Sequence, residues 1–116
     1  MQKRAWAEDA VAKLQAGQVT QVRPTGHSMQ GRLDEGDLVT LAPCDSRDLA
    51  IGDIVLARVK GRHYSHLVLH LVVERESDRF LIGNNHGRRD GWITAEDIFG
   101  KVTQVQSPSN ETSATA

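Results

Sequence analysis

Gly36-Asp37-Leu38-Val39-Thr40-Leu41-Ala42 and, farther along, Gly52-Asp53-Ile54-Val55-Leu56-Ala57-Arg58-Val59 decide the fold class of this chain. In each stretch a glycine permits a left-handed turn, and the aspartate after it can bond nearby backbone amides before an apolar run begins. Runs of Val, Ile and Leu bounded by such turns are the pattern of β-strands. The repeated opening is a shared turn device and does not by itself indicate a duplicated domain. Further runs of the same kind lie at 67–74, 79–82 and 98–105, alongside those at 38–42 and 54–59. Before Gly17 the pattern differs. Ala7, Val11 and Leu14 follow the i, i+4, i+7 spacing of an amphipathic helix over 6–16, and Gly17 is placed to stop it. The expectation is a mainly β domain with one short N-terminal helix. Its divisions are a helical unit at 1–17, a β domain at 18–106, and a small, polar tail at 107–116 read as disordered.

Composition narrows the class of protein. A chain of 116 residues suits one domain and one modest core. With 39% hydrophobic and 25% charged residues it should fold, and with only 4% aromatic residues the core must be built from branched aliphatics. Fourteen basic residues against fifteen acidic ones leave a net charge of −1, so no basic excess points to nucleic acid. Arg88-Arg89 and the stretch 60–62 are short basic spots that read as solvated loops. The single cysteine, Cys44, excludes an internal disulfide, and its polar surroundings, without a basic neighbour in sequence, read as an incidental loop thiol. No apolar run approaches the ~20 residues of a membrane span, and the basic N-terminus lacks the apolar stretch of a signal peptide. A soluble, cytoplasmic chain without a membrane anchor is expected.

The segment Pro24-Thr25-Gly26-His27-Ser28-Met29 comes directly after the first short strand. A nucleophilic serine needs an exposed hydroxyl on a tightly held backbone, with amides free to stabilise an oxyanion. Gly26 supplies flexibility and close approach, and Met29 can anchor the turn in the core. A serine in a glycine-containing turn is, by itself, most often a turn or capping residue. The order of the motifs says more. Gly26-His27-Ser28-Met29 is followed by Gly36-Asp37-Leu38-Val39, by Gly52-Asp53-Ile54-Val55, by Leu69-His70-Leu71-Val72-Val73-Glu74, by Gly83-Asn84-Asn85 and Asp90, and by Ile98-Phe99-Gly100-Lys101-Val102. Over about residues 20–105 this succession resembles the signal-peptidase/LexA-like serine peptidases.

The resemblance implies a coiled β-sheet domain that hydrolyses a peptide bond in an extended protein segment, with Ser28 as nucleophile and no cofactor. The general base of this superfamily is a lysine in some branches and a histidine in the archaeal and endoplasmic-reticulum signal peptidases. His70 stands at the matching position, so the chain resembles the histidine branch. A neutral imidazole is a ready base near neutral pH. Asp90 falls where that branch has the aspartate that orients the imidazole. The expected partner is a protein or peptide substrate, with Gly26, His27 and Met29 forming the neighbourhood of the substrate and the oxyanion.

Several alternatives stay open at this level. His66 lies on the same face of the expected strand as His70, but four extended residues span about 13 Å, so both cannot touch Ser28. The same separation argues against a zinc site at His66-x-x-x-His70, since the flanking Leu and Val favour a strand over a helix. Asp90 in Arg88-Arg89-Asp90-Gly91 also has the residues of a tight turn. Two departures from the family pattern bear on activity: Asn84 replaces a frequent Asp, and Gly26 leaves no hydroxyl two residues before Ser28. The competing function is a catalytically inactive module of the same fold that binds peptides or regulates. A self-cleaving repressor is disfavoured, because the residues ahead of the resemblance are too few for a DNA-binding domain.

Overall fold

The Gly-Asp device forms the same turn twice. The Asp37 carboxylate accepts the Asp34 amide at 2.8 Å, and the Asp53 carboxylate accepts the Ala50 amide at 2.9 Å. In both, the aspartate's own N–H closes the turn onto a carbonyl three residues back, and Gly36 and Gly52 adopt φ of +91° and +99°. Only a residue without a Cβ takes this conformation without strain.

A computed structural model of the protein describes residues 5–108. It comprises helix α1 (Ala5–Gln15) and strands β1 (Thr20–Val22), β2 (Leu38–Ala42), β3 (Ile54–Lys60), β4 (Ser65–Glu76), β5 (Arg79–Gly83), β6 (Arg89–Thr94) and β7 (Ile98–Gln106). Single 3₁₀ turns lie at Ser46–Asp48 and Ala95–Asp97. The strands form one antiparallel sheet in the order β1-β2-β7-β3-β4-β5-β6. The last strand thus inserts between β2 and β3 and ties the two halves of the sheet together. The expected helix and the five expected strand runs are all present, and the protein is mainly β with one N-terminal helix. The tail expected at 107–116 lies outside the described residues from position 109 onward.

The apolar runs are continuous because the central strands are buried on both faces. Along β3, Leu56 packs into one core while Val55, Ala57 and Val59 pack into another. Along β4, Leu67 and Leu69 enter the first core, and Val68 and Val72 the second. Period-two geometry sends alternate residues to opposite sides, so each side must be covered. The first core is closed by Ala7, Ala10, Val11 and Leu14 of α1, with Met29 and Leu33 from the β1–β2 connection. The second is filled by Phe80, Ile82, Ile93 and Leu49. Register shifts within the β2–β7, β3–β7, β4–β5 and β5–β6 pairs add the local bend that lets one sheet enclose two cores.

One strand departs from expectation. Of the segment that had turn residues, Arg88-Arg89-Asp90-Gly91, all but Arg88 belong to the edge strand β6. Gly91 has a φ of +133° beside the register shift opposite Ile82 and Gly83, so its turn-like composition marks an irregularity within a strand. Cys44 departs in a different way. It is half-buried, and Lys101 of β7 lies close enough to favour the thiolate. Burial outweighs that attraction and pushes the thiol pKa up. The basic neighbour missing from the local sequence comes from a distant strand.

Candidate active site

Each member of the candidate site reaches it from a different element. Ser28 sits in the long β1–β2 connection, His70 in the middle of β4, and Asp90 near the start of β6. Arg32 and Leu33 donate their amides to the Met29 carbonyl, which folds the turn after Ser28 back on itself. Met29 and Leu33 are buried and pin that turn to the first core. Gly26 has a φ of +101° with open space around it, so backbone conformation, not crowding, demands the glycine.

Ser28 Oγ lies 3.0 Å from His70 Nε2, and His70 Nδ1 lies 2.6 Å from Asp90 Oδ2. The tautomer with its proton on Nδ1 donates to the Asp90 carboxylate and leaves Nε2 to accept from the Ser28 hydroxyl. The His70 and Asp90 side chains are only 11% and 9% exposed, so little water competes for these contacts. Asp90 arrives there because β5 ends at Gly83. A Cβ on Gly83 would stand 2.6 Å from the Arg88 carbonyl oxygen and 3.0 Å from Val73 Cγ2. The bare backbone lets the chain cross from β5 to β6 in close contact and bring Asp90 toward His70.

The other candidates take separate places. His66 pairs with Val59 and stacks on Tyr64, with ring centroids 5.3 Å apart, and it lines the cleft that also holds Ser28 and His70. His27 is largely exposed, 4.0 Å from Glu35. Asn84 accepts the amides of His86 and Arg88 on its side-chain oxygen, so it shapes the β5–β6 connection. No group of histidine, cysteine and acidic side chains suited to a metal occurs among the described residues.

Asn85 and His86 form a contact that the sequence did not single out. The Asn85 amide donates to the Ser28 carbonyl at 3.0 Å, and its side-chain amide donates to the Gln30 carbonyl at 2.8 Å. Arg32 Nε donates to Asn85 Oδ1 at 2.8 Å, and His86 Nε2 meets the His27 carbonyl at 2.9 Å. The β5–β6 connection therefore clamps the turn carrying Ser28 from both sides. The only sequence signal was the position of Asn85 in Gly83-Asn84-Asn85, which said nothing of its partners.

Two hollows flank Ser28. A small pocket is lined by Met29, Leu33 and Leu69 with Pro24, Gly26 and Asp34. On the other side, an open cleft holds His66, His70, Arg88 and Asp90. Among the described residues, no hydrogen bond within the protein engages the Ser28 N–H, which is free to donate to an incoming oxygen.

Comparison with known protein families, curated proteins and solved structures found no match.

Proposed function

We propose that this protein is a serine endopeptidase of the signal-peptidase/LexA-like kind, acting on an extended protein segment. The observation that carries the reading is the continuous hydrogen-bonded relay from Ser28 through His70 to Asp90. Such a relay supplies nucleophile, base and orienting group in one line. His70 Nε2 takes the Ser28 proton as Oγ bonds to the peptide carbonyl carbon. Asp90 steadies the resulting imidazolium across the Nδ1–H bond. The Ser28 N–H supports the oxyanion, and the open space around Gly26 leaves room for the carbonyl oxygen. His70 then protonates the leaving amine, and water, activated by the same base, releases the acyl group from Ser28. The pocket beside Ser28 offers a place for one small apolar side chain of the chain being cut.

The test is incubation of the protein with a mixture of unstructured polypeptides, with new termini read by mass spectrometry. Wild-type protein is expected to generate cleavages that disappear in Ser28→Ala and His70→Ala, while both variants keep the wild-type melting curve. Cleavage by Ser28→Ala at the wild-type rate would sink the mechanism. Peptide binding without cleavage in any form of the protein would favour the inactive-module reading instead.

A further inference from the structure

We propose that the open cleft beside the Ser28–His70 pair recognises a carboxylate on the bound chain, and that Arg88 is the residue that receives it. The inference rests on the reading of this cleft as a peptide site and adds the substrate class.

Charge in the cleft is one-sided. Its lining includes His27, Ser28, His66, His70, Arg88 and Asp90. Asp90 is the one carboxylate among the lining residues, and its Oδ2 is already held 2.6 Å from His70 Nδ1, with the side chain 9% exposed. Arg88 is exposed, and its guanidinium makes no hydrogen bond or ion pair with any described residue. Neighbouring arginines differ: Arg79 pairs with Glu76, Arg89 faces Glu74 at 4.0 Å, and Arg75 donates to the Arg47 and Leu49 carbonyls. Among the described residues, the cleft thus offers an uncommitted cation and no uncommitted anion. The backbone beneath that cation is also fixed, because the Arg88 amide donates to Asn84 Oδ1 at 3.0 Å while its carbonyl accepts the Asn84 amide at 2.9 Å. A flexible guanidinium on a held backbone can meet a carboxylate through two N–H donors.

The opposite hollow gives the preference a direction. It is lined by Met29, Leu33 and Leu69 together with Asp34, whose carboxylate accepts the Gly31 amide at 2.8 Å. An acidic substituent there would be desolvated beside a like charge. A carboxylate on the chain is therefore directed to the Arg88 side of the scissile bond. Two sources carry this group: an aspartate or glutamate side chain within the substrate, or its C-terminal carboxylate.

The decisive experiment uses peptides built around a mapped cleavage site, with Glu, Gln or Lys at each position on one side, each made as free acid and as C-terminal amide. Wild-type protein is expected to favour Glu over Gln by roughly 2- to 5-fold in kcat/KM at low salt, the scale of an exposed ion pair. The advantage should shrink as salt screens it. In Arg88→Glu the order should reverse toward Lys. Loss of the preference on amidation alone would assign the terminal carboxylate, and its persistence would assign the side chain. An unchanged Glu-to-Gln-to-Lys ratio in Arg88→Glu would overturn the inference. The same peptides are titrated into Ser28→Ala protein, with binding followed by NMR shifts, so the question is decided without turnover. If wild-type protein cuts nothing, the peptidase reading fails, and unstructured peptides of one fixed sequence carrying Glu, Gln or Lys at a single position are titrated into wild-type and Arg88→Glu protein instead; charge-selective binding that inverts with Arg88→Glu still upholds the carboxylate site. Binding indifferent to charge removes it.

Discussion

Asp90 acts on the candidate site through one hydrogen bond to His70 Nδ1, which makes it the most informative single residue to alter. Asn has nearly the same shape but can present an N–H to the ring, which favours the tautomer with its proton on Nε2. That nitrogen then has no lone pair for the Ser28 hydroxyl. Asp90→Asn is expected to lower kcat by about 10⁴-fold, the size seen when a triad aspartate is neutralised, and steady-state kinetics on a mapped peptide check it. At Cys44 the physics is different. Burial pushes the thiol pKa up despite Lys101. At any given pH below that raised value the thiolate fraction is smaller than for a free cysteine. Alkylation by iodoacetamide should therefore be slow at pH 8, with its rate rising only at more alkaline pH. Lys101→Ala should slow it further, because it removes the one influence that lowers this pKa.

At the scale of elements, the site depends on how the β5–β6 connection meets the Ser28 turn. Asn85 joins the two through its backbone amide and both ends of its side chain. Asn85→Ala should leave the backbone bond and both cores in place while loosening the turn. A misplacement of about 1 Å at a reacting atom costs on the order of 10²-fold. Kinetics should show that loss mainly in kcat, with KM little changed; a change in KM alone would show that the clamp does not position Ser28. Gly83 governs the other approach. The methyl group of Gly83→Ala would collide with the Arg88 carbonyl and Val73. We expect a loss of roughly 1–3 kcal/mol, the scale of overpacking, measured by urea unfolding. Displacement of β6 should carry Asp90 away from His70 and reduce activity beyond what the stability change accounts for.

Across the whole molecule, one sheet covers two cores, and the candidate site draws on both. Ser28 sits on a turn anchored through Met29 and Leu33 in the core that α1 closes. His70 shares its strand face with Val68 and Val72 of the other core. Leu14 is buried in the first core, and Gly100 lies so close to it that a Cβ there would meet Leu14 Cδ1 and Cδ2 at 2.9 Å. Leu14→Ala should cost about 2–5 kcal/mol through lost burial and a residual cavity. Hydrogen exchange should show the amides of 26–33 losing protection together with those of α1. The control is Phe80→Ala, expected to cost about 3–5 kcal/mol in the second core, with the Ser28 turn protected until global unfolding. Equal loss of protection at 26–33 in both variants would show that the two cores unfold as one unit.

The local chemistry of the chain determined the helix, its stop at Gly17, the two Gly-Asp turns and five of the strands. Each of these depends on residues close in sequence: side-chain periodicity, a glycine at positive φ, an aspartate reaching an amide three residues away. It also put forward Ser28, His70 and Asp90, through the order of motifs in the resemblance. Strand parity could not separate His66 from His70, since both point to one side. The tertiary structure lays the Ser28 turn against the middle of β4, so that it is His70 whose Nε2 meets Oγ. Strand β6 was obscured because its first residues have the composition of a turn and only Ile93 along it is buried, so no alternating apolar run marks it. The Asn85 clamp, the basic neighbour of Cys44 and the arrival of Arg88 in the cleft all join residues far apart in sequence. No local pattern encodes such pairings; they exist only once β7 and β6 have taken their places in the sheet.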